Sequence, residues 1–143
     1  MAAFDRTAHV NNFWNNKIKP SSPIYAFLLS EITITDVEEN SVVAELKLGP
    51  NHINSKGTLH GAVSATLVDW ASSMAIAATG RDRTGVSTDL HTTYISTAKT
   101  GDVLVIRGTA SKVGSNLAYT TVDISKSSGE VVAHGVHTKF VRQ

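Results

Sequence analysis

The 143-residue chain has no cysteine, which removes disulfides, thiolate nucleophiles and thiolate zinc ligands together and fits a reducing compartment. It also has almost no net charge. Thirteen Lys and Arg against twelve Asp and Glu leave +1 at neutral pH, so no global field draws it to nucleic acid or to an anionic membrane. Any anionic ligand must be held by local groups. Proline is confined to positions 20, 23 and 50, which leaves the long apolar stretch from 61 to 79 uninterrupted. The first twenty residues have no continuous apolar run and carry one arginine with an early acid, Asp5, unlike a secretory or transit segment. Cytoplasm is the expected location, with a mitochondrial pool left open.

What is present fits one domain over residues 1–143, since domains usually run to about 100–150 residues. Residues 9–18 and 23–29 read as two short helical pieces broken at Pro20-Ser21-Ser22-Pro23, an N-terminal helical extension of residues 1–29 that covers something rather than forming the core. From Glu31 to Leu48 apolar residues alternate (Ile32, Ile34, then Val42, Ala44, Leu46, Leu48) about a turn at residues 38–41, which predicts a hairpin. A polar loop through Asn54, Lys56 and Gly57 then leads to His60. Gly61 to Thr79 is rich in Ala, Leu, Val, Met and Ile and stops at Gly80, which predicts one long helix. Four strand-like runs follow, at 85–95, 102–112, 116–125 and 130–141, joined by short Gly-containing turns that imply antiparallel neighbours. The expected architecture is α+β, a curved antiparallel sheet packed on one buried helix.

The predicted helix is about the length a bilayer needs, but a mid-membrane Asp costs about 2.5–3.5 kcal/mol on insertion scales. Asp69 therefore argues against a transmembrane span. It is the only ionisable side chain between His60 and Arg81, flanked by Leu67, Val68, Trp70 and Ala71. Burial of such a carboxylate would raise its pKa and suit it to accept protons near neutral pH, whereas the plainer reading is a structural Asp bonded to a neighbouring strand or subunit. Upstream, Gly57-Thr58-Leu59-His60-Gly61 leads into the helix, where the first backbone N–H groups can hold an oxyanion. Gly61 permits close approach there, or merely eases the turn.

Other candidates are weaker. His134 and His137 are three apart on a strand, so they face opposite sides, and with no carboxylate near them in sequence no metal site is expected. Ser64 and Ser87 lack a nucleophile elbow. Ser87, Asp89 and His91 alternate along one strand and read as a polar stripe on one face. Arg81, Arg83, Lys112 and Lys139 lie near turns, where surface placement is the usual outcome and phosphate binding the functional one.

The run Asn54-Ser-Lys-Gly-Thr-Leu-His-Gly61, followed by Ala65-Thr-Leu-Val-Asp69 and by the Gly-Val-Ser-Thr-Asp segment from Gly85 that continues to Asp102, resembles the PaaI-like hotdog acyl-CoA thioesterases, especially the eukaryotic thioesterase superfamily member two type. The likeness covers roughly residues 30–141. It implies a hotdog fold, dimers whose sheets join and which assemble into homotetramers, and active sites shared between subunits. By the same resemblance Asp69 is the general base or nucleophile, Gly61 N–H and Asn54 polarise the thioester carbonyl, and His60 and Ser87 support them. The substrate is then a fatty or aryl acyl-CoA, coenzyme A being part of substrate and product, with no further cofactor. Lys112, Lys139, Arg81 and Arg83 are the candidates for its phosphates. Three positions depart from the pattern: Ala62 replaces a second glycine, Thr97 a proline, and Trp70 a small polar residue. The alternative expectation is a non-catalytic module of the same fold that binds acyl-CoA or lipid.

Overall fold

The computed structural model describes residues 2–142. Its chain turns helical at Arg6: α1 (Arg6–Asn12) runs into a π-helical turn (Phe13–Ile18) and a 3-10 turn (Lys19–Ser21), and α2 (Pro23–Leu29) follows. The first helix begins ahead of the expected position 9 because Asp5 caps it, its carboxylate accepting the Ala8 N–H. α2 is capped likewise by Ser22, with Pro23 at the first helical position, where a missing N–H removes no helical bond.

The expected hairpin is β1 (Thr33–Val37) and β2 (Ser41–Lys47), and the expected long helix is α3 (Gly61–Ala78), which closes before Gly80 at φ 103°. β3 (Val86–Tyr94), β4 (Val103–Val113), β5 (Leu117–Lys126) and β6 (Val131–Phe140) fall within one residue of the spans read from the sequence. Every pairing is antiparallel, in the order β1-β2-β4-β5-β6-β3. β3 thus lies at the edge opposite β1 and does not neighbour β4, which follows it in sequence. The cause is α3, which touches β2, β4, β5, β6 and β3 and so carries the chain across the sheet before β3 begins. This is the hotdog arrangement, a six-stranded sheet curved about one helix.

α3 is apolar around nearly its whole circumference, so it must be covered on every side. The sheet contributes Leu46, Leu104, Ile106 and Ile124; the N-terminal segment contributes Val10, Phe13, Trp14 and Leu29. Each such side chain gains about 1.5–3 kcal/mol on full burial. Among the described residues no helix is long and apolar enough to cross a membrane.

Two glycines set how closely helix and sheet approach. A Cβ on Gly108 in β4 would lie 2.4 Å from the Ala71 carbonyl oxygen, and one on Gly135 in β6 would lie 2.5 Å from Val68 Cγ2. The first contact is with helix backbone, which cannot rotate away. Gly108→Ala is therefore expected to destabilise the fold by about 1–3 kcal/mol, read as a lower urea midpoint with unchanged slope. An unaltered midpoint would mean that the helix is free to move off the sheet.

Candidate active site

Asp69 sits in the middle of α3, yet its side chain is 37% exposed, because that helix face opens on a cavity rather than on the packed sheet. The cavity measures about 380 Å³, and its lining includes Tyr25, Asp69, Ser73, Gly85, Ser87 and Lys139. Three elements meet there: α2 brings Tyr25, the start of β3 brings Ser87, and β6 brings Lys139, with His137 behind.

The two carboxylate oxygens have different neighbours. Oδ2 accepts a hydrogen bond from the Tyr25 hydroxyl, and Oδ1 faces His137 Nε2 at 3.9 Å. That nitrogen is 2.7 Å from Ser87 Oγ. His137 is fully buried, and burial lowers its pKa; Asp69 opposes the shift, Lys139 adds to it and Asp89 opposes it more weakly. The ring is thus neutral at physiological pH. Its buried Nδ1 has no partner among the described residues, which favours the proton on Nε2, since orphaned donors are the rarer kind. We assign Nε2–H as donor to Ser87, which leaves the serine O–H free to donate into the cavity.

A pH consequence follows. The unfolded chain takes up a proton near the ordinary histidine value of 6.5, and the folded chain only below it. Stability is therefore full above about pH 6.5 and declines as the pH falls through the lowered folded value. Unfolding midpoints measured from about pH 7 to 5 are expected to drop, and less steeply in His137→Gln. Equal slopes in both proteins would acquit His137.

Lys139 corrects an expectation. It is not a surface cation but is 4% exposed, its Nζ donating to Ser73 Oγ at 2.7 Å, with a pKa lowered by burial against the opposing pull of Asp69. The polar stripe is also corrected. A bulge between Ser87 and Asp89 shifts the register, so Ser87 pairs with inward-facing Lys139 while Asp89 pairs with Thr138 on the other face. Gly85 makes this entry possible: at φ 76° its missing Cβ would stand 2.0 Å from the Phe140 carbonyl oxygen.

Asn54, His60 and Gly61 gather elsewhere, at the start of α3. Asn54 Oδ1 accepts from Lys56 N–H at 2.9 Å and Thr58 N–H at 3.1 Å, and its Nδ2 donates to Thr58 Oγ1 at 3.0 Å. His60 Nδ1 accepts the Ala62 N–H at 2.9 Å, and Tyr94 Oη donates to the Gly61 carbonyl at 2.8 Å. Eight residues of helix separate Gly61 from Asp69, about 12 Å along the axis at 1.5 Å per residue. One chain does not bring the two groups together. Arg81 is held by the Val141 and Gly114 carbonyls at 3.0 and 3.1 Å, whereas Arg83 and Lys112 are exposed.

The sequence reading missed Tyr25, Ser73 and His137. The available signal was β6, where His137 and Lys139 alternate with Ala133 and Gly135 on a face that is otherwise small and apolar. Both histidines of that strand have carboxylate neighbours after all, supplied by other elements: Asp123 Oδ1 at 2.7 Å for His134 and Asp69 for His137. Among the described residues no three His, Asp or Glu side chains stand close enough to hold a metal ion.

The chain is similar to several known proteins. The family model described as thioesterase superfamily matches residues 56–133, from the loop before α3 into β6. Human acyl-coenzyme A thioesterase 13 is 43% identical over 115 residues, 80% of this chain and 82% of that protein. The crystal structure of zebra fish thioesterase superfamily member 2 superposes with a TM-score of 0.85 at 35% identity, covering 97% of this chain and 99% of that one. A hypothetical thioesterase of Streptococcus pneumoniae, determined with coenzyme A, has a TM-score of 0.74 at 27% identity over 80% of this chain and 94% of its own. With the family model matching more than half of the chain and the fold superposing on these relatives, the chain belongs to the thioesterase superfamily and is a thioester hydrolase.

Proposed function

We propose that this chain is an acyl-CoA thioesterase that hydrolyses fatty or aryl acyl-CoA to the free acid and coenzyme A, acting in the cytoplasm as a homodimer that assembles into a homotetramer. One hotdog domain spans residues 1–143, with residues 1–29 its helical extension. The observation that carries the reading is the Asp69 carboxylate facing a cavity beside the free Ser87 hydroxyl. The coenzyme A held by the pneumococcal relative and the name of the human one support the substrate class.

In this scheme Ser87 holds a water molecule and Asp69 takes its proton as the oxygen adds to the thioester carbonyl. Negative charge then develops on the carbonyl oxygen. The Gly61 N–H, in the first helical turn and without a carbonyl one turn back, and the second N–H of Asn54 Nδ2, only one of whose hydrogens is bonded to Thr58, are donors suited to it. His60 keeps that turn in place by capping Ala62. Collapse breaks the carbon–sulfur bond and expels coenzyme A as thiolate, to which Asp69 returns the proton it took from water, so that coenzyme A leaves as the thiol and Asp69 is again ionised.

Because about 12 Å separates the two groups along one helix, the scheme takes Asp69 and Ser87 from one subunit and Gly61 and Asn54 from its partner. β3 supports this arrangement. It is an edge strand with Val86 and Tyr94 exposed, and a bare strand edge is a template for pairing. Arg83 and Lys112 are the cations free to meet the nucleotide phosphates; Arg81 and Lys139 already have internal partners.

The test is a panel of aliphatic and aryl acyl-CoAs in which released thiol and acid are quantified. Equal amounts of both are expected from at least one chain-length class. Saturable acyl-CoA binding without thiol release would replace the reading with a binding module.

A further inference from the structure

We propose that Tyr25, on the N-terminal segment outside the matched family region, is a positioning residue that holds one oxygen of Asp69 so that the other takes the proton from water. The inference rests on the assignment of Asp69 as base made above.

The geometry begins with the contact itself. Tyr25 Oη donates to Asp69 Oδ2, which leaves Oδ1, the oxygen facing His137, for the water that Ser87 would hold. A carboxylate on a short side chain can turn about its last bond, and a partial turn would swing the lone pair of the oxygen that faces the reacting water out of line. One fixed hydrogen bond to Oδ2 stops that rotation.

Tyr25 is itself fixed. Its ring meets Trp14 at 6.0 Å and 64°, and Trp14 meets Trp70 at 5.4 Å and 80°. Trp70 follows Asp69 directly on α3 and is fully buried, so the aromatic series begins and ends at the same helical turn. Trp70, the bulky departure at this position, thus has a use as the anchor of the segment that carries Tyr25. Ser22 caps α2 three residues before Tyr25. Ile18, Ser21 and Ser22 line the same cavity, so the segment forms its wall.

The chemistry of the phenol also suits holding rather than transferring a proton. Burial first, then the Asp69 charge and the hydrogen bond to it, push the Tyr25 pKa upward, so the group stays a donor throughout the working range. The groups facing Asp69 from other elements are Tyr25 on α2 and His137 and Lys139 on β6; Asp89 on β3 acts on His137.

Tyr25→Phe tests the inference, because it deletes the hydroxyl and keeps the ring on Trp14. Expected are a kcat about tenfold lower with KM within about twofold and a melting temperature close to wild type. In the Asp69→Asn background the same substitution is expected to change kcat by less than about twofold, since the two residues act as one unit. Wild-type kcat in Tyr25→Phe, with or without a lower melting temperature, would leave Tyr25 as an anchor of the segment and overturn the proposal. If Asp69→Asn were itself active, the base assignment would fall and this inference with it. An inactive Asp69→Asn beside an unchanged Tyr25→Phe would sink this inference alone.

Discussion

Asp69→Asn is expected to lower kcat on acyl-CoA by about 10²–10⁴-fold while KM stays within about threefold. The amide nearly matches the carboxylate in shape, and its carbonyl can still accept the Tyr25 hydrogen bond that now reaches Oδ2. What it loses is basicity. Water must then attack without a proton acceptor, so the loss falls on the transition state and not on substrate binding. The packing of α3 should survive, because Asp69 belongs to the partly open face of the helix and the cavity already admits solvent. Initial rates of thiol release over a range of substrate concentrations separate kcat from KM. A kcat within threefold of wild type would remove Asp69 from the chemistry and return it to the structural role that its spacing equally allowed. Asp69→Ala, which lacks both the base and the acceptor for Tyr25, should be at least as inactive.

Much of the fold was legible because its signals are local. Glycines at 80, 101 and 129, all with positive φ, stand in the breaks between elements where the apolar patterns also lapse, so the helix and strand spans could be read closely. Asp69 stood out for the same reason, as one charge in an apolar run. The partners of that charge were not legible. Tyr25 lies 44 residues upstream and His137 68 downstream, and no pattern within a helix or strand couples such positions. Ser87 was misplaced on its strand face because a bulge has no period of its own; one extra residue reverses the alternation that otherwise governs a strand. Lys139 was misjudged because a lysine near a turn is usually exposed, whereas here β6 turns it under the sheet onto Ser73. The edge position of β3 depended on what α3 crosses, a property of the packed chain and not of the strand.

Mixing two inactive variants is expected to restore about a quarter of wild-type activity. The first variant is Asp69→Asn. The second, Gly61→Pro, deletes the donor at the start of α3 at a position that tolerates proline: the first helical residue needs no N–H for the helix, and His60 before it is already extended at φ −68°, ψ 133°. The atoms nearest to a Cβ there belong to the Tyr94 side chain, at 3.4 Å, the near edge of ordinary van der Waals contact. Alone, it should lose about 10²–10³ in kcat as an oxyanion donor. If each site takes Asp69 from one subunit and Gly61 from the other, a mixed dimer carries one site with both lesions and one with neither. Random re-pairing makes half of the dimers mixed, each with one intact site of two, which gives the quarter. The measurement is thiol release after the two proteins are unfolded together and refolded, against each refolded alone. If both groups acted within a single chain, no pairing would rescue either variant and the mixture would stay at the sum of its parts. Recovery therefore decides whether the distance of about 12 Å along α3 is bridged by a second copy or was never bridged at all.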